Sequence, residues 1–312
     1  MTSKFTFRIA ALLGCLLAAT AQARTLEVGA AKEYKLPSAA IAAAEDGDQV
    51  AIQPGEYFDC AVVKPNHVVI EGVGDAAKVV LTDKTCAGKA ILVASGGDIT
   101  IRNLTLTRAR VPDRNGGGIR AEGRNLLVEN VRFVNNETGI LTTPDIGTLT
   151  VRDSLFDSNG SCEASCAHGI YAGNIDLLRV ERSHFINTHH AHHIKSRARR
   201  TEVIGCTIED GPEGTASYEI EVPNGGAAVI RDNTIEKGPK AENHTGAIMI
   251  GTEGITQPTP EIVVENNHFR NDGDFQTIFV DNLSATPAVL RGNQFTGAVT
   301  PLKGDGQVVA GK

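Results

Sequence analysis

The sequence predicts an all-β solenoid, one chain wound into a stack of short parallel strands. Two observations predict it. The form (V/I/L)-x-x-x-x-(F/I/L) recurs as IRNLTL at 101, VENVRF at 128, VRDSLF at 151, VERSHF at 180, VIGCTI at 203, IRDNTI at 230, VENNHF at 264 and LRGNQF at 290. A second series interleaves with it, anchored on Ile91, Ile119, Ile140, Ile170, Ile194, Ile220, Ile248 and Ile278. Self-similarity at a period of about 26 residues is the mark of stacked repeats. Two interleaved strand series mean at least two strands per coil, and each coil can bury its apolar face only on its neighbours.

The elements follow in order. Residues 1–23 read as an export signal: Lys4 and Arg8, an apolar run over 9–20, then Ala21-Gln22-Ala23 as an A-x-A cleavage site. The run is too short to span a bilayer as a stable helix, and no later segment is apolar for long enough to be transmembrane. The alternative is a lipoprotein box, LLGC, ending at Cys15. Either reading places the protein in the periplasm or outside the cell. Residues 24–312 then form one domain. The whole chain carries 30 Lys and Arg against 37 Asp and Glu, and the leader removes two cations and no acid. A nucleic-acid binder is normally basic, so that class is excluded. Abundant Gly (33) and no Trp fit many short strands and turns.

An exposed sheet edge at the start of the stack needs a cover. Residues 36–57, LPSAAIAAAEDGDQVAIQPGEY, supply one: a short alanine-rich helix near 37–44 with Ser38 as its N-cap, then Asp46-Gly47-Asp48 turning into a first strand. A helix, then GDQVAIQPGEY, then repeating coils resembles the start of pectate-lyase-like β-helix proteins. The resemblance covers nearly all of 24–312. It implies a single right-handed parallel β-helix from about 25 to 300 with a short N-terminal capping helix. Fold alone does not fix the reaction.

The fourth position of the first series reads Ser154, Ser183, Cys206, Asn233, Asn267, Asn293. Its last three members predict an asparagine ladder at a turn, with Cys206 a small residue filling a ladder position. Of the other cysteines, Cys60 and Cys86 lie about one coil apart and suit a disulfide. Cys162 and Cys166 are a second pair.

The stretch HHAHHIKSRARR at 189–200 holds four histidines and four cations. With Ile194 as inward anchor, strict alternation points His193, Lys195 and Arg197 outward. It points His192, His168 and Tyr218 inward. The position after each anchor reads Leu92, Arg120, Leu141, Tyr171, Lys195, Glu221, Met249, Phe279. The polar groups gather in the middle coils, so Tyr171, His193, Lys195, Arg197, Glu219 and Glu221 are expected to form one surface patch. Arg120 and Glu122, earlier on the same face, join His193 as substrate-binding candidates. A basic stretch inside an acidic protein suits an anionic polysaccharide.

Three readings of the patch stay open. In the first, the protein is a polysaccharide lyase. β-Elimination from a uronide needs a base, a cation for the carboxylate and an acid for the leaving oxygen. IKSRARRTEVIGCTIEDG resembles the NKS-containing coil of alginate-lyase-like and chondroitinase-B-like β-helix enzymes. The resemblance implies Lys195 as base, at Lys195-Ser196 of the motif; Tyr171, one coil earlier on the same face, is placed to donate to the leaving oxygen. Those families continue with an arginine in an LRHG-like strand. Here the aligned strand is IEVPNGG, so Arg197 has to stand in. It also implies that Glu219 and Glu221 hold the calcium many relatives use. In the second reading, Glu219 and Glu221, with Cα atoms roughly 6.6 Å apart on one strand, act as the two carboxylates of a glycoside hydrolase. In the third, the patch only holds an anionic glycan.

Overall fold

The computed structural model describes residues 23–145, 147–163 and 165–309. The expected export signal and Cys15 therefore lie almost wholly outside the described residues. The rest is one parallel β-helix with three sheets of twelve, ten and ten strands. Successive coils pair in register. Ile101, Val128, Val151, Val180, Val203, Ile230, Val264 and Leu290 form one buried column of the first sheet. Five residues on, Leu106, Phe133, Phe156, Phe185, Ile208, Ile235, Phe269 and Phe295 form the matching column of the second. Each repeated hexapeptide thus spans a corner between two sheets, and the isoleucine series runs through the third.

The corner is built by its third and fourth positions. Asn103, Asn130, Asp153, Asp232 and Asn266 take φ of 51 to 60° there, a left-handed conformation that Asn and Asp tolerate. Gly205 and Gly292 replace them in two coils at φ 64°. The next residue carries the ladder. Asn233 Nδ2 donates to Asn267 Oδ1 at 2.8 Å, and Asn267 Nδ2 to Asn293 Oδ1 at 2.9 Å. Cys206 N–H joins the ladder by donating to Asn233 Oδ1 at 2.8 Å. Its thiol is free, and burial pushes it up to about 11. Cys60–Cys86 and Cys162–Cys166 are the two disulfides.

The entry motif forms the strands Gln49–Ile52 and Gly55–Tyr57, preceded by the helix Pro37–Ala43. Ser38 is not the N-cap. Leu36 is, without a side-chain cap bond, and Pro37 opens the first turn with its preset φ. Ser38 N–H instead donates to Asp59 Oδ2 at 2.7 Å.

Two anchors of the isoleucine series shift. Ile119 pairs with Leu92, not Ile91, and Ile248 pairs with Val280, not Ile278. Strict alternation also fails in this sheet. Gly139 and Ile140 N–H groups both donate to the next coil, each at 3.1 Å. A regular parallel strand sends only alternate N–H groups to one neighbour. The result is a bulge, in which the anchor and the residue before it both face the core. Ile91, Gly118, Gly139, Gly169, His193, Glu219, Ala247 and Phe279 hold that extra inward position. Ile278, which lies two before its anchor, faces out and is half-buried.

Space sets the residue at the bulge. A Cβ on Gly118 or Gly139 would come within 2.6 or 2.7 Å of the Phe133 or Phe156 ring of the next coil. Those two rings stack on each other with centroids 4.6 Å apart, and Phe156 stacks in turn on Phe185 at 4.4 Å. Where the column turns to Ile208 and Ile235, room opens, and His193 and Glu219 occupy it. Gly139→Ala is therefore expected to lower stability by about 1–3 kcal/mol through overpacking, read as a drop in the urea midpoint.

Candidate functional site

The bulge decides which side chains reach the surface. The residue after each anchor faces out: Val93, Arg120, Leu141, Tyr171, Lys195, Glu221, Met249, Asp281. Leu92 and Phe279, expected in this column, are inside. The residue two before the anchor also faces out, giving a second column that includes His168, His192 and Tyr218. These rings stack coil on coil, with centroids 4.8 and 5.0 Å apart. The expected inward placement of His168, His192 and Tyr218 is thus reversed.

A connected polar cluster lies across the two columns. Arg197 Nε donates to the Tyr171 hydroxyl oxygen at 2.8 Å, and Arg197 also donates to Asn224 Oδ1. Glu253 reaches over from the loop after the strand Gly246–Ile250. Its Oε2 lies 2.7 Å from Arg197 Nη1, and its Oε1 accepts from Lys195 Nζ at 2.8 Å. Lys195 Nζ also lies 2.8 Å from Glu221 Oε2. Glu221 accepts from Thr252 Oγ1 at 2.6 Å and meets His192 Nε2 at 3.0 Å. Tyr218 accepts from Asn243 Nδ2 at 2.8 Å. Loops 238–245 and 251–261 thus reach the cluster from the two edges of the sheet.

The charges fix each other's protonation. Burial works against the Lys195 ammonium, but Glu221 and Glu253 outweigh it and hold the amine above its ordinary range. Burial likewise opposes the Glu221 carboxylate, and His192 and Lys195 overcome it, holding the acid well below the usual carboxylate range. Arg197, then Lys195, lower Glu253. Burial, then His192 and Lys195, push His168 down, so it is neutral.

His193 and Glu219 are not part of this surface. Both are wholly buried in the coil interior. His193 Nδ1 shares a 2.8 Å hydrogen bond with Thr188 Oγ1, and its Nε2 lies 3.2 Å from Asp210 Oδ1 and 3.4 Å from Glu219 Oε2. Lys237 Nζ donates to Glu219 Oε1 and the Ser217 carbonyl, both at 3.0 Å. Burial, then Asp210, raise the Glu219 carboxyl well above its usual range. The donors of His193, Asp210 and Glu219 lie close enough to ligate a metal, but the Lys237 ammonium already supplies the cation there. Glu219 and Glu221 face opposite sides of their strand. They do not fit a shared calcium ion, and they do not flank a sugar as a hydrolase pair.

A family model described as a right handed beta helix region matches residues 147–309. That span is more than half of the chain. The chain belongs to the right-handed beta helix family. Among solved structures, this β-helix protein is similar to an alginate lyase from Paenibacillus sp. str. FPU-7. The two share 17% identity over 89% of this chain and 99% of that one, with a TM-score of 0.63. More distant likenesses are to a pectin methylesterase from Aspergillus niger and to the A-module of a mannuronan C-5 epimerase from Azotobacter vinelandii. The first has 11% identity over 92% of this chain and 84% of that one, TM-score 0.47. The second has 16% over 88% and 94%, TM-score 0.42. These likenesses concern the fold. No curated protein sequence matches the chain.

Of the residues singled out in the sequence, the β-helix brings Tyr171, Lys195, Arg197 and Glu221 together. Arg120 lies in the same outward column, three coils before Lys195, so about 14 Å away at the usual strand spacing. Glu122 Oε1 accepts from Lys89 Nζ at 2.6 Å and lies 3.8 Å from Arg120 Nε. Sequence reasoning missed Glu253, Thr252, Asn224 and His192. An acid set in a glycine-bounded turn, GTEG at 251–254, was the available signal for Glu253.

Proposed function

We propose that this protein is exported and cleaves a uronic-acid-containing polysaccharide by β-elimination. The observation that carries the reading is the tyrosine, arginine and lysine joined in one network on an outer sheet face between two loops. Its likeness in fold to an alginate lyase along that enzyme's whole length is consistent with it. In this reading Arg197 holds the sugar carboxylate and stabilises the charge that develops when the neighbouring carbon loses its proton. Lys195 takes that proton. The Tyr171 oxygen already accepts from Arg197, so its own proton is free for the glycosidic oxygen. That oxygen leaves as its bond to carbon breaks, and a carbon–carbon double bond forms next to the carboxylate. No metal enters the scheme.

The test is incubation with alginate, pectate and glycosaminoglycans, followed by ultraviolet absorbance of the unsaturated product. A base must be neutral, and two carboxylates hold Lys195 protonated. The rate is therefore expected to rise about tenfold per pH unit from neutral pH into the alkaline range below the ordinary lysine value of about 10.4, as long as Tyr171 keeps the proton it donates. Absence of absorbance from all of these polymers across that range would remove the lyase reading. The same protonated lysine favours a second reading, a non-catalytic module that binds anionic glycans. It predicts binding with no product at any pH.

A further inference from the structure

The arginine and the lysine that the proposed reaction needs for its substrate are already engaged. Glu253 bridges them, giving one oxygen to Lys195 Nζ at 2.8 Å and the other to Arg197 Nη1 at 2.7 Å. Lys195 has a second carboxylate partner in Glu221, but for Arg197 Glu253 supplies the only carboxylate contact among the described residues. A planar carboxylate shared between an ammonium and a guanidinium is also what a uronate would present to this pair.

Glu253 and Glu221 differ in how they are held. Glu221 is buried and tied by His192, Lys195 and Thr252. The Glu253 side chain is 42% exposed, and among the described residues its only ion-pair partners are the two cations. Its backbone, by contrast, is fixed. Glu253 N–H donates to the Pro223 carbonyl at 3.0 Å, Thr256 N–H to the Asn224 carbonyl at 2.9 Å, and Asn224 Nδ2 to the Gly254 carbonyl at 3.2 Å. The carboxylate can therefore rotate into solvent while the loop stays in place.

We propose that Glu253 is an internal stand-in for the sugar carboxylate, filling its subsite until a uronate displaces it. The proposal rests on the site being a uronate site, as argued above, and adds a competitor built into the chain. Two effects follow. Apparent affinity is lowered by the fraction of molecules in which Glu253 is seated. Only a ligand carrying its own anion displaces it, so a neutral glycan gains no foothold on Lys195 and Arg197.

The test is binding of a mannuronate or galacturonate trisaccharide by calorimetry near pH 7, where Lys195 is protonated and turnover is suppressed. Neutral cellotriose serves as the control ligand. Glu253→Gln, nearly isosteric and half in solvent, is expected to tighten uronate binding at least tenfold and to leave cellotriose unchanged. Glu253→Ser guards against residual bonding by the amide. Glu242→Gln removes one charge from a neighbouring loop and should have little effect. If the wild type binds uronate and both Glu253 variants bind equally or more weakly, the stand-in is overturned and the uronate site survives. Equal tightening by Glu242→Gln also overturns it, since net charge would then be the cause. No uronate binding by any of these proteins overturns both.

Discussion

Lys237→Met is expected to lower stability by about 3–5 kcal/mol, the usual cost of leaving one member of a buried ion pair alone. Lys237 and Glu219 are both fully buried, and the Lys237 ammonium is the cation fixed beside Glu219, whose carboxyl Asp210 also faces. The loss should shrink in acid. The folded-state pKa of Glu219 is raised, so folding favours its protonated form. The stability tied to that proton is fully present below the unfolded value of about 4.3 and is lost as pH rises through the folded value. Removing Lys237, which opposes the shift, moves that upper limit higher still. Urea midpoints of wild type and variant should therefore converge between pH 7 and about pH 4.5. The double variant Glu219→Leu, Lys237→Met should recover most of the loss, because an apolar pair of similar volume replaces a buried charged one. A single variant as stable as wild type at pH 7 would show that Glu219 carries no charge there.

Lys195→Ala is expected to reduce turnover by about 10²- to 10⁴-fold, the usual contribution of a general base. Lys195→Arg separates the two roles open to this residue. Arginine keeps the positive charge but cannot give it up. If Lys195 is the base, Lys195→Arg is as inactive as alanine at every pH while binding of uronate oligosaccharides persists. If Lys195 serves only to hold the carboxylate, Lys195→Arg retains turnover and the proton passes to another group. Rates from product absorbance and affinities from calorimetry decide between them.

The coil period, the paired apolar columns, the asparagine ladder and the Cys60–Cys86 disulfide were legible in the sequence, because each is a property of residues spaced by about one coil; Cys162–Cys166 was legible because its two cysteines lie only four residues apart. The site was legible only in part. Tyr171 and Lys195 were found by counting from the anchor, since the residue after each anchor does face out. His193 and Glu219 were misplaced because alternation has no way to register a bulge. Its trace was nonetheless present. Gly118, Gly139 and Gly169 precede their anchors in three successive coils, and a glycine column beside phenylalanines marks an inward position under steric pressure. Glu253 was missed for another reason. It acts across 58 residues, from a loop whose path over the sheet no periodicity encodes.

A repetitive chain has a counting problem. Any coil can be wound onto the wrong neighbour with most of its valines, isoleucines and phenylalanines still finding apolar company. The buried group of His193, Glu219 and Lys237 is drawn from three successive coils, and each member has its partner in only one alignment. A coil skipped during winding would press an unmatched charge against the Phe133–Phe156–Phe185 stack, which disfavours that winding. The charged interior thus serves as an address in an otherwise uniform stack. Its apolar replacement should show the difference in yield: the double variant of Glu219 and Lys237 would come close to the wild type in stability yet return fewer correctly wound molecules on refolding.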